Sequence, residues 1–244
     1  MALDLPDAAR VERRIPKTLL LEHGAPTAAD KRKINDGVEQ VQWIAALKPI
    51  TVGVAEHRDD EREYLEIAVL HLTLRAGAKL RRLIELVHRA VPYPVVAVAE
   101  QIERVHLSLA HKRRSQGEAA KTVLDGDVVS VGWAKADESN RSAFLTALAL
   151  GLQPRSTLFT LYQGWIDTLH ALQAARRTNA FEIANSADRL AARREALIEC
   201  GRLESEIARL LAAGAKEKQM SRRVELNLEL KRVEDARAAA LARL

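Results

Sequence analysis

One cysteine, Cys200, stands among 244 residues. A lone thiol excludes an internal disulfide and fits a reducing compartment. Aromatic residues make up only 4% of the chain, so alanine and leucine carry the apolar load and lean it towards helices. No apolar run approaches the roughly 20 residues that a membrane helix needs. The start, Met1-Ala2-Leu3-Asp4-Leu5-Pro6, lacks the basic and apolar regions of a signal peptide. A soluble, cytoplasmic protein with no membrane partner is the expectation. Motifs are missing too. There is no Gly-x-x-x-x-Gly-Lys-Ser/Thr, no Gly-x-Gly-x-x-Gly after a strand and no Gly-x-Ser-x-Gly elbow. Cys200 falls on a helical stripe, where it reads as structural. His106 and His111 stand five apart on one strand and point to opposite faces, so they do not share a metal. His71, among apolar neighbours, reads as a hydrogen-bonded core histidine. The residues predict no catalytic group, metal or cofactor.

What is present is organised around Glu63–Val98. Glu63 to Leu74 is apolar on both alternating faces through its middle, as in a strand covered on both sides. Lys79 to Val91 switches to helical spacing, with Leu80, Leu83, Ile84, Val87 and Val91 on one stripe. Pro92-Tyr93-Pro94 stops that helix, and Val95 to Ala99 follows as a buried strand.

Around this nucleus, residues 1–26 read as an irregular basic arm carrying Arg10, Arg13, Arg14 and Lys17. Thr27 offers an N-cap to a helix over 28–47, whose Ile34, Val38, Val41 and Ala45 recur at spacings of three and four. Ile50 to Ala55 reads as a short strand, and His57 to Glu63 as a charged hairpin tip. The tip's paired acids read as a solvated turn, because no His or Cys stands beside them at ligand spacing. Arg104 to His111 is another strand. Thr122 to Trp133 is strand-like with an Asp125-Gly126 break, either a tight hairpin or a bulge. After a polar linker, Lys135 to Asn140, the chain reads as helices only. They cover Arg141 to Leu150, a segment capped by Ser156 or Thr157 and running to Arg177, a segment from Ala187 to a turn at Ala212 to Ala215, and Lys216 to Leu244. The predicted class is α+β or mixed α/β. Residues 1–134 form a mixed sheet with covering helices, 135–186 a helical connector, and 187–244 a helical hairpin.

The formal charge is +5 with pI near 9.5. Lys79, Arg82 and Arg89 on the central helix, with Lys112, Arg113 and Arg114 at a later strand end, are the candidate phosphate contacts for double-stranded DNA. The scarcity of aromatics argues against a base-stacking, single-strand binder. On the last helix, Leu226, Leu230 and Val233 form one apolar strip and Val224 and Leu228 a second. Two strips call for two neighbours, and a homodimer is expected through them. The element order also matches restriction-type nuclease cores. Those need an Asp near one strand end and a Glu-x-Lys on the next strand, to hold a metal and activate water. Here Ala110-His111-Lys112 lacks the carboxylate, and Asp59 or Asp60 with Glu66 lacks the lysine. A divergent metal-dependent nuclease is therefore the alternative.

Several stretches together resemble one bacterial family. They are Arg14-Ile15-Pro16-Lys17, the segment Asp30 to Trp43 with Leu47-Lys48-Pro49, Tyr64-Leu65-Glu66-Ile67, Val91 to Val96, Leu107 to Arg113, and the tail Glu217 to Leu230. The chain is similar, over nearly its whole length, to a domain-of-unknown-function family encoded beside helicase and DNA-methyltransferase genes in restriction-like, phage-defence loci. The resemblance carries no catalytic residues. It implies a helicase and a DNA methyltransferase as partners, and hence a non-enzymatic accessory role in DNA processing.

Overall fold

The computed structural model describes residues 2–118, 121–134 and 140–244. They form two compact units, Met1–Leu169 and His170–Leu244. The mixed sheet with helices, followed by helices ending in a hairpin, is the architecture expected from the sequence.

The first unit begins with strand β1 (Arg10–Arg14) and helices α1 (Lys17–His23) and α2 (Ala28–Gly37). The stretch read as an irregular arm thus holds an edge strand. Every β1 residue is exposed and all but one are charged, so no apolar alternation announces it. Charge on an edge strand also blocks further pairing. Thr27 caps α2 by accepting from the Asp30 amide at 3.1 Å. The predicted helix over 28–47 is half wrong, because Val38–Leu47 is strand β2. Register shifts between Val38 and Gln40 and between Trp43 and Ala45 insert extra residues into this strand. Those bulges turn a spacing of two into the helix-like spacing of Val38, Val41 and Ala45. The strand predicted from Ile50 is helix α3 (Pro49–Val52). Proline at its first position and Gly53 at φ 64° beyond its end favour a helical turn over an extended one.

A small hairpin follows, β3 (His57–Arg58) with β4 (Glu63–Tyr64). Then come β5 (Ile67–Leu74), α4 (Leu80–Ala90), β6 (Val95–Gln101), β7 (Arg104–Arg114) and β8 (Thr122–Ala134). The six-stranded sheet has the order β1-β2-β5-β6-β7-β8, antiparallel except for the β5–β6 pair joined by α4. Asp125-Gly126 is a bulge inside one continuous β8, with Gly126 at φ 81°, and the β7–β8 register shifts between Leu109 and His111. His71 is half-buried, with its Nε2 3.5 Å from Glu100. The predicted linker Lys135 to Asn140 lies, but for Asn140, outside the described residues. Helix α5 (Arg141–Ala147) and helix α6 (Leu158–Thr178) come next, and the division between the units falls within α6. Leu20, Ile34, Val41, Leu72, Leu83 and Leu86 belong to the main core cluster, which joins α1, α2 and α4 to the sheet.

In the second unit, α7 (Ala187–Lys216) and α8 (Met220–Leu241) pack as a helical hairpin. The turn expected at Ala212 to Ala215 is helical, because alanine sustains a helix, and the break comes after Lys216. Cys200, Leu203 and Ala240 form the seam, as a structural cysteine should. Arg209 reaches Glu229 at 3.8 Å, and Glu204 takes both Arg177 at 2.9 Å and Arg237 at 3.7 Å.

His88 is wholly buried on α4, its Nε2 3.0 Å from the Ser108 hydroxyl. Burial, reinforced by the nearby Lys112 charge, lowers its pKa from 6.5 to about 3. Between those values the unfolded chain binds a proton that the folded chain refuses, so stability falls as pH falls through that window. The loss should be on the order of a few kcal/mol. Asp30 is held below its ordinary value chiefly by the Arg82 guanidinium, and its contribution disappears only at still lower pH. All three tryptophans, Trp43, Trp133 and Trp165, lie in the first unit. Urea midpoints followed by tryptophan fluorescence should therefore drop between pH 6.5 and 4, and His88→Gln should flatten that slope. An unchanged slope in the variant would place the acid sensitivity elsewhere.

Candidate cationic groove

β6 and β7 pair from Gln101 opposite Arg104 up to Ala97 opposite Ser108. Two residues further along each strand, the Tyr162 phenol of α6 enters between them. Its hydroxyl donates to the Val95 carbonyl at 2.7 Å and accepts from the Ala110 amide at 2.8 Å. β6 begins here, at Val95, already paired with β5, whereas β7 and β8 run on together past this point to Arg114 and Thr122. The β3–β4 hairpin braces the departing pair. Arg62 holds Asp125 at 2.7 Å, the Arg114 amide donates to the Glu61 carbonyl at 2.7 Å, and the Tyr64 hydroxyl meets His111 Nδ1 at 2.5 Å.

Here lies a cleft of about 460 Å³ whose lining includes Tyr93 with its flanking prolines, Arg113 and Arg114. Lys48 and Glu66 line it as well, 3.0 Å apart, and the second Glu66 oxygen, Oε1, is buried without a hydrogen-bond partner. A second cleft of about 370 Å³ adjoins it, sharing Lys112 and Thr122 and adding Arg89 and Lys121. The two form one groove lined by six basic side chains, with Glu22, Glu63 and Glu66 as its acids.

The structure thus brings together Arg89, Lys112, Arg113 and Arg114 of the six predicted phosphate contacts. Lys79 lies at the opposite end of α4, beside Arg32 and Lys33. Arg82 is spent on Asp30 at 2.8 Å and on Glu85 at 2.8 Å. Lys112 needs a correction as a surface contact. It is buried, and its ammonium donates to the carbonyls of His88 and Val91 at the C-terminal end of α4. Burial lowers its pKa to about 8, so it still carries charge at neutral pH and complements the negative end of the helix. Lys48 and Lys121 were missed, since one follows a strand and the other a turn with no local signal. The groove cations do have acidic partners. Arg89 meets Glu85 at 2.8 Å and Lys121 meets Glu118 at 2.7 Å, while Arg114 to Glu63 and Arg113 to Asp125 are looser, at 3.7 and 3.9 Å. Exposed pairs of this kind are worth roughly 0–1 kcal/mol, so a phosphate displaces the carboxylate at small cost.

Among the described residues, no group of three or more His, Cys, Asp or Glu is placed to hold a metal. No described helix is long and apolar enough to cross a membrane. The predicted interface residues divide. Leu226 is buried, Leu230 and Val233 are half-buried on the same face of α8, and Val224 and Leu228 are exposed.

Replacing Lys112 by methionine should separate support from surface contact. The variant leaves two helix-end carbonyls unpaired and should lose about 1–3 kcal/mol of stability. The salt dependence of any nucleic-acid binding should stay unchanged. A weakened salt slope at full stability would mean that Lys112 reaches the ligand.

A family model described as "Domain of unknown function (DUF4391)" matches residues 3–236. No curated protein and no solved structure matches the chain.

Proposed function

The chain belongs to the DUF4391 family, and on that premise we propose that it is a non-enzymatic accessory subunit of a bacterial DNA-processing complex. The first unit lays its groove along the DNA backbone, and the hairpin engages protein partners. The observation that supports this reading is the convergence of Lys48, Arg89, Arg113, Arg114 and Lys121 on one groove. Cations arranged along a groove bind phosphates regardless of sequence, through counterion release. The partners are a helicase and a DNA methyltransferase of a restriction-like, phage-defence locus. Val224 and Leu228, exposed on α8, offer them or a second copy of the chain an apolar strip.

If the five groove cations meet phosphates, the logarithm of duplex affinity should fall with the logarithm of salt concentration at a slope of about −4.5, at about −0.9 per contact. Reversing charge at Arg113→Glu and Arg114→Glu should weaken all sequences alike and make the slope shallower by about 2. Salt-insensitive binding would sink the backbone reading.

A metal-dependent nuclease is the second reading, and the Lys48–Glu66 pair favours it. Lys48 follows β2 and Glu66 precedes β5, so a lysine stands beside the carboxylate although the chain has no Glu-x-Lys there. Glu66 and Glu63 are then its candidate carboxylates, whereas Asp59 is engaged by His57 at 2.9 Å and by the amides of Glu61 and Arg62. Plasmid cleavage with magnesium or manganese, lost in Glu66→Gln, would establish this reading over the accessory one. No cleavage by the intact protein would leave the accessory role standing.

A further inference from the structure

Tyr93 stands out in the first cleft. Among the described residues it is the one aromatic side chain among the exposed large apolar groups, 43% accessible. Its position is built rather than incidental. Pro92 and Pro94 flank it, both lining the same cleft, and proline fixes its own φ and restricts its predecessor. The ring is held on a stiff segment, anchored where the Pro94 carbonyl accepts from the Ala68 amide at 2.9 Å, at the start of the β5–β6 ladder. Arg113 and Arg114 line the same cleft; their carboxylate pairs, at 3.9 and 3.7 Å, are longer than direct hydrogen bonds, and Arg113 also donates one Nη1 bond to the Arg114 carbonyl at 3.3 Å. Leu65 adds apolar wall, and the Lys48–Glu66 pair adds polar wall. An aromatic side chain, an apolar one and two guanidinium groups lining about 460 Å³ match the three parts of one nucleotide: base, sugar and phosphate. A base inside a continuous duplex has both faces covered by its neighbours. A terminal base pair offers one face but stays paired, whereas an unpaired base at an overhang or gap can leave the helix and enter the cleft.

Resting on the groove reading above, we propose that the first cleft takes an unpaired nucleotide at the end of a DNA duplex, its base stacked on Tyr93 and its phosphate held by Arg113 and Arg114. The second cleft then carries the adjoining backbone past Arg89 and Lys121. The chain would thereby recognise duplex DNA carrying a single-stranded overhang.

The test compares blunt duplexes with duplexes of the same length bearing a three-nucleotide overhang at either strand end, by fluorescence anisotropy with the full chain. The wild type should bind an overhang roughly ten-fold tighter than a blunt end, within the range that one stacked base supplies. Tyr93→Ala should erase that preference. Tyr93→Trp should keep it. A 2-aminopurine placed in the overhang should be quenched by the wild type and not by Tyr93→Ala. Because Tyr93 is exposed, its replacement should leave the fold intact, as circular dichroism would verify. Equal affinity for blunt and overhanging ends, or a preference that survives in Tyr93→Ala, overturns the stacking proposal while salt-dependent blunt-end binding keeps the groove. Absence of DNA binding at low salt, or indifference to charge reversal at Arg113 and Arg114, overturns both.

Discussion

The first unit depends on one hydroxyl group. Tyr162 stands in the sheet where the next β6–β7 ladder bonds belong, giving a proton to one strand and taking one from the other. Buried backbone groups must be paired, so strands cannot separate inside a core unless something else satisfies them. The phenol does so, and its burial keeps it protonated, well above its ordinary pKa. With that requirement met, β7 and β8 are free to run on away from β6. The Leu109–His111 register shift and the Asp125-Gly126 bulge bend them further, as bulges do.

Separation of the strands creates a second problem, which the charge distribution answers. The C-terminal end of α4 is left at the bottom of the gap with its last carbonyls short of partners. Lys112 is drawn inward to meet them, and its neighbours Arg113 and Arg114 stay at the surface. Strand alternation turns Arg113 to the face opposite Lys112, and Arg114 is exposed at the end of the strand. Arg89, in the last turn of the same helix, adds positive charge at the negative helix end. The groove is therefore basic for a structural reason before any ligand is considered.

In the second unit, the hairpin seam is thin. Leu226 and Ala240 are the buried residues of α8, and exposed ion pairs such as Arg202–Glu199 and Arg209–Glu206 decorate α7. Small seam residues, Ala240 beside Cys200 and Leu203, let the helices approach closely. Leu226, Leu230 and Val233 share that inward face, whereas Val224 and Leu228 are exposed.

The sequence by itself determined the elements whose periodicity is undisturbed: β5, α4 with its Leu83, Ile84 and Val87 stripe, β6, and the helical run to the end. It also placed four basic residues, Arg89 and Lys112 to Arg114, that the fold gathers together. Local pattern failed where tertiary partners override it. Bulges against β5 made β2 imitate a helix, a flanking Pro and Gly wound Ile50 to Val52 into a helical turn, and β1 needs the edge of β2 to be a strand at all. The groove belongs wholly to this second category. Lys48, Glu66, Tyr93 and Lys121 lie on four separate segments, and no spacing in the chain relates them. Which charge faces solvent and which caps a helix was likewise decided only by packing. A lysine reads the same in sequence whether water or two carbonyls receive its ammonium.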